Sequence, residues 1–178
     1  DTDEQPGNAN IDKIPTLRPA FAKDGTVTAA NASSINDGAA ALVLMRKSEA
    51  EKGGQKILAE IVSHAAHAHE PAYFTTAPVH AMKKALAKAE WDAGDVDLWE
   101  INEAFAVVPM IAMQELGLDH DVVNVNGGGC VLGHPIGASG ARIMATLIAA
   151  MEKRGAKKGV ASLCIGGGEA TAVCLQRA

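Results

Sequence analysis

The chain has 178 residues, about one domain and a fraction at ~150 residues each. Sixteen basic against 21 acidic side chains leave a formal net charge of −5, which offers no electrostatic footing for a nucleic acid. Hydrophobic residues at 48% are too many for a disordered segment, and no run of ~18 apolar residues supplies a membrane span. Three cysteines, an odd number, suit a reducing compartment better than a disulfide framework.

Asp1 to Asn10 has neither the basic nor the apolar region of a signal peptide and reads as a polar loop turning at Pro6-Gly7. A chain opening in this way is expected to be part of a longer polypeptide. Turn residues dominate to Ser34. Ala39 to Met45 (AAALVLM) is an apolar run of strand length, and Ser48 to Lys52 is a helix-like stretch closed by Gly53-Gly54. Ile57 to Ala65 alternates like a strand. Pro78 to Glu90 predicts a helix with proline in its first turn. Asp97 to Asn102 (DLWEIN) predicts a strand, and Ala104 to Leu116 a helix stopped by Gly117. Val122 to Val125 predicts a buried strand. After a glycine-rich loop, Ser139 to Arg154 predicts a long helix, with Ile143, Leu147, Ile148 and Met151 at helical spacing. Val160 to Ile165 and Ala170 to Leu175, joined by Gly166 to Gly168, predict a hairpin. The order β-α-β-α-β-α-β-β implies right-handed crossovers and a mostly parallel sheet whose last strand is antiparallel. This α/β unit runs from Lys56 to Ala178, and the first 55 residues look like pieces of something else.

Three polar or reactive segments stand where strands end: Asn102-Glu103-Ala104-Phe105, Asn126 to Pro135 (NGGGCVLGHP), and Cys164 to Gly168 (CIGGG). Ligands of open parallel sheets bind beyond such ends. Each residue also has a plain structural reading. Asn102 is a good helix N-cap. The glycine run lacks the lysine and hydroxyl of a phosphate-binding loop. His134 sits in a rigid turn, and a cysteine at a strand end such as Cys164 is commonly a small buried apolar group. Cys130 reads as a snug small residue and Cys174 as core.

Together the motifs NEAF, NGGGCVLGHPIGASGAR and CIGGGEATAV closely resemble the C-terminal half of thiolases (acetyl-CoA acetyltransferases). The upstream stretch LRPAFAKDGTVTAANASSINDGAAALVLM resembles them as well, so the resemblance runs from about Leu17 to Leu175. It implies the thiolase fold: residues 1–34 end the loop domain, 35–55 complete the N-terminal unit, and 56–178 form the C-terminal unit. It also implies reversible condensation or thiolytic cleavage of 3-oxoacyl-CoA through an acyl-cysteine, with coenzyme A a substrate and no separate cofactor.

By the same resemblance His134 activates the nucleophilic cysteine and helps bind the thioester oxyanion, and Cys164 is the acid/base. Asn102 holds a water that completes one oxyanion hole, and the Gly166 backbone N–H forms part of the other. One oxyanion donor is typically worth ~3–4 kcal/mol of barrier. Ser33 matches a contact to the pantetheine arm, while Phe21, Ala104 and Phe105 match walls of the tunnel or acyl pocket. The nucleophilic cysteine belongs to the family's N-terminal unit and has no candidate here, so this segment alone is expected to be inactive. The missing half of the same enzyme is its expected partner, in a homodimer or homotetramer, with no nucleic acid and no membrane. A cytoplasmic location is expected, mitochondria and peroxisomes remaining open.

The sequence departs from the family pattern at Ala29 to Ser34, where two glycines are lost, at Glu169, and at Tyr73 to Thr76, where Phe74 leaves the acyl chain length open. Retention of Asn102, His134 and Cys164 weighs against a non-catalytic acyl-CoA- or lipid-binding relative. Cys164 weighs against a ketoacyl synthase, which usually has a histidine there. A split-enzyme subunit is the other alternative. His64, His67 and His69 with Glu70 raise the question of a metal, but His64 points away from the other two, and a solvated strand end without metal is expected.

Overall fold

The computed structural model describes residues 4–177; residues 1–3 of the expected opening loop, and Ala178, lie outside the described residues. The rest of that loop is not irregular, for Glu4–Asn8 form a short helix, α1, followed by a 3-10 segment over Ile11–Thr16. Pro6 is tolerated because the first-turn N–H groups of a helix have no internal partner. A long irregular stretch then leads to α2, Lys47–Lys52.

The α/β unit consists of β1 (Glu60–Ala68), α3 (Ala77–Ala89), β2 (Leu98–Ile101), α4 (Val107–Leu116), α5 (Gly129–Leu132), α6 (Ser139–Arg154), β3 (Lys158–Ile165) and β4 (Glu169–Gln176). The sheet order is β1-β4-β3-β2. β2 and β3 are parallel, and β4 runs antiparallel to both β3 and β1, so three strands share one direction against the last. The mixed α/β architecture expected from the sequence is therefore present.

Helices cover both faces. Met82, Ala85 and Leu86 of α3 and Val108 and Ala112 of α4 pack on Trp99, Ile101, Val160 and Cys174. On the other face Ile143, Leu147 and Met151 of α6 pack on Leu98, Ala161 and Leu175. Fully burying side chains of this size stabilises by roughly 1.5–3 kcal/mol each. The helix α6 ends where Gly155 turns left-handed at φ 69°, with Lys153 and Arg154 favourably placed at its negative end.

Two expected strands are absent among the described residues. In the 122–125 segment only Val123 makes a parallel bridge, to Trp99. The next residue, Asn124, takes φ 48° and turns its side chain onto β2: Oδ1 accepts from the Ile101 N–H at 2.7 Å and Nδ2 donates to the Ile101 carbonyl at 2.8 Å. One amide thus replaces the next rung of the ladder. Residues 39–45 stay irregular, with Val43 88% exposed, because no neighbouring strand lies beside them.

Candidate active site

The site forms where β2 and β3 end. Asn102 follows β2, and its backbone N–H donates to the Ser162 carbonyl at 2.9 Å, two residues before Cys164 on β3. Asn102 is 1% exposed and does not cap α4. That helix begins at Val107 rather than Ala104, because residues 104–106 are engaged elsewhere: Phe105 bridges to Ala32, the Ala106 N–H donates to the Asn31 carbonyl, and the Ser33 N–H and hydroxyl both donate to the Ala104 carbonyl at 3.1 and 3.0 Å.

His134 meets Asn102 directly, Nε2 lying 3.3 Å from Asn102 Nδ2. Its other nitrogen, Nδ1, lies 2.6 Å from Ser139 Oγ, and that hydroxyl donates to the Pro135 carbonyl at 2.9 Å. The hydroxyl hydrogen is committed to the carbonyl, so Nδ1 must carry the imidazole proton. Nε2 then carries the lone pair and accepts from the Asn102 amide. Burial, with the nearby Arg142 guanidinium adding to it, lowers the His134 pKa and favours the neutral ring. The Asn102 Oδ1 is buried without a hydrogen-bond partner among the described residues.

The start of the chain holds the histidine from behind. The His134 N–H donates to the Ser34 carbonyl at 3.1 Å and to Asn36 Oδ1 at 3.2 Å, and Ser34 Oγ donates to the same Oδ1 at 2.7 Å. Gln5 of α1 donates to Ser34 Oγ at 3.1 Å. Gly133, before the histidine, takes φ 92°, and a Cβ there would collide with the Asn36 amide. Beside it, the Glu103 carboxylate accepts from the Cys130 N–H at 3.1 Å and from Asn124 Nδ2 at 3.0 Å. The Cys130 N–H of the glycine-rich loop is thus taken by the protein's own carboxylate. Burial, reinforced by Glu103, pushes the Cys130 thiol up to about 12, so it stays protonated.

Cys164 is 7% exposed, and burial raises its thiol pKa, which keeps it protonated at neutral pH. Gly166 lies exposed in the following turn, closed by the Gly168 N–H on the Ile165 carbonyl at 3.1 Å. Phe105 is flanked by Phe21 and Phe74, with ring centroids 6.5 and 5.9 Å away.

The family profile described as the thiolase C-terminal domain matches residues 55–177, and that of the thiolase N-terminal domain matches residues 1–48. The chain belongs to the thiolase family. The acetyl-CoA acetyltransferase of Paracoccus denitrificans is 51% identical over 169 residues, which are 95% of this chain and 43% of that protein. The cytosolic acetyl-CoA acetyltransferase of Mus musculus is 52% identical over 171 residues, 95% of this chain and 43% of its own length. Among solved structures, the acetyl-CoA acetyltransferase of Bacillus anthracis superposes with a TM-score of 0.95 at 46% identity, covering 99% of this chain and 45% of that one. The human mitochondrial 3-ketoacyl-CoA thiolase in complex with CoA gives 0.86 at 37%, covering 96% and 43%. This thiolase chain therefore spans less than half the length of these relatives.

The structure brings Asn102 and His134 into contact, ties Ser33 to Ala104, and sets Phe21 edge-on to Phe105; Cys164 near the end of β3 and Gly166 in the turn after it reach the same sheet end. Sequence reasoning missed three residues. Ser139, fully buried, sets the His134 tautomer; its signal was a hydroxyl five positions on, at the start of a helix. Glu103 pins the glycine-rich loop, and Asn36 carries the His134 backbone.

Proposed function

We propose that these residues form the C-terminal part of an acetyl-CoA C-acetyltransferase, which interconverts two acetyl-CoA with acetoacetyl-CoA and free CoA through an acyl-cysteine. The observation that carries this reading is the Asn102–His134–Ser139 relay, which supports a neutral imidazole whose Nε2 lone pair can exchange the Asn102 amide for a thiol at the site. A neutral histidine of this kind takes the proton of a thiol near pKa ~8.5 and so generates the thiolate nucleophile. That nucleophile comes from outside these 178 residues, so the segment alone turns nothing over. The bare Asn102 Oδ1 suits a bound water which, with His134, stabilises the thioester oxyanion. The Gly166 N–H serves the second oxyanion. Cys164, kept protonated by burial, gives its proton to the departing CoA thiolate or to the α-carbon and recovers it in the reverse direction. Ser33, Phe21, Ala104 and Phe105 border the arm of the acyl-CoA, and Phe74 against Phe105 favours a short acyl chain.

In this reading residues 1–34 end the loop domain, 35–55 complete the N-terminal unit and 56–178 are the C-terminal unit of a cytoplasmic homo-oligomer. Coenzyme A is the substrate, without a further cofactor. Cys164→Ala in the full polypeptide carrying these residues should lower turnover by about 10²–10⁴-fold. Acetyl-CoA should still add one acetyl group to the protein, visible by intact mass spectrometry. Unchanged turnover would sink the acid/base role, and a protein that never acylates would sink the reaction.

A further inference from the structure

The sheet carries a second cluster of reactive side chains that the proposed chemistry does not use. His67 and His69, at the end of β1, share one strand face, and α3 lays His80 against them. The ring centroids are 5.0 Å apart for His67 and His69, 4.5 Å for His67 and His80, and 5.7 Å for His69 and His80. One ring nitrogen from each residue lies within 4.8 Å of the other two. We propose that His67, His69 and His80 form a binding site for one transition-metal ion of the zinc, nickel and copper class.

Three physical arguments support the site. A tetrahedral zinc ion at ~2.0–2.1 Å from each imidazole needs its ligands ~3.4 Å apart. The observed spread of up to 4.8 Å is wider than that, so binding requires the rings to swing inward, His80 being exposed at the rim and the other two half-buried. The second argument is the outer partner of His69. Its Nε2 lies 2.8 Å from the Tyr73 carbonyl, which can only accept, so that nitrogen bears the proton and Nδ1 keeps its lone pair. A ring N–H given to a carbonyl is the usual second partner of a metal-bound histidine. The third is ligand chemistry, because a donor set of imidazoles selects zinc, nickel or copper over magnesium or calcium.

One group opposes the ion. The Lys84 ammonium lies 3.1 Å from His67 Nδ1, within 3.5 Å of the Ala66 carbonyl. Binding displaces it toward that carbonyl and frees the His67 ring. The site also adjoins the turn after Cys164: the His69 N–H donates to the Gly168 carbonyl at 3.0 Å, and His67 pairs with Ala170 across the sheet. Gly168 itself sits at φ 98°, where a Cβ would strike the His69 carbonyl. An ion held here would join the end of β1 to α3 directly behind the Gly166 turn. The inference reverses the metal-free expectation drawn from His64, His67 and His69, since His80 was the residue that reading lacked.

The test is calorimetric titration of ZnCl2 into the full natural polypeptide carrying these residues after chelator treatment, with cobalt(II) absorption as a second readout of tetrahedral coordination. One saturable equivalent per chain is expected. His80→Ala should weaken it by at least the ~10–100-fold that follows loss of an outer partner alone. His64→Ala, on the other strand face, should change nothing, and Lys84→Gln should tighten binding. Absence of a saturable equivalent would overturn the site, as would binding that survives His80→Ala and His67→Ala unchanged.

Discussion

Leu98–Ile101, apolar but for Glu100, and the apolar run of residues 39–45 are both of strand length, yet the first is the most deeply buried strand of the sheet and the second is irregular and open to solvent. Trp99 is 1% exposed, whereas Leu44 is 69% exposed. What separates them is their neighbours. β2 has β3 on one side and Asn124 on the other to complete its hydrogen bonds, and helices over both faces. The earlier run has no strand beside it among the described residues. An apolar run becomes a strand only when its backbone groups find partners, and β-propensity measures the fit to such neighbours.

Three experiments press on this contrast. Trp99→Ala should cost about 3–5 kcal/mol in urea unfolding of the 178-residue chain, as truncation of a large buried aromatic does. A loss below 1 kcal/mol would show that β2 is not the packed centre.

The second concerns how dry β2 is. Glu100 is 2% exposed, and burial pushes its carboxyl up from 4.5 to about 7, against the pull of Arg142 at 3.3 Å. The folded state then binds this proton more tightly than the unfolded one, so stability falls as pH rises from about 4.5 to about 7 and stays lower above that. The effect is on the order of 3–4 kcal/mol across that window, each tenfold in proton affinity being worth ~1.4 kcal/mol. Glu100→Gln should flatten that slope in thermal melts at pH 5 and 8. An identical slope in both proteins would place the titration elsewhere.

The smallest effect is expected from Leu44→Ala, within ~0.5 kcal/mol on the same chain, as for most surface substitutions. The same change in a longer polypeptide would sharpen the comparison. A loss of core size there would mean that the run is covered by residues outside these 178.

Much of the α/β unit was legible because its signals are local and periodic. The helix α6 lies where the Ile143–Leu147–Met151 spacing and Gly155 put it, and the hairpin turns on Gly166 to Gly168 as expected. Asn102 and His134 stood out because strand ends and rigid turns are visible in sequence. Other features depend on single side chains that reach across the fold and leave no period. Asn124 acts on Ile101 from 23 residues away, and Asn36 acts on His134 from 98. His80 is an unremarkable helical residue until α3 folds onto β1.

The hydrogen bonds that the His134 N–H donates to the Ser34 carbonyl and Asn36 Oδ1 also bear on the order of events in folding. Closing a loop of 98 residues is entropically dearer than closing the β3–β4 hairpin or winding α6, and so is pairing β1 with β4 across more than 100 residues, so the local pieces are expected ahead of both. The imidazole gains its backbone support only when residues 34–36 dock on the histidine turn, a non-local step like the closing of the sheet. The candidate site is therefore joined from distant parts of the chain, and releasing residues 34–36 would loosen the histidine turn without breaking any strand pairing of the sheet.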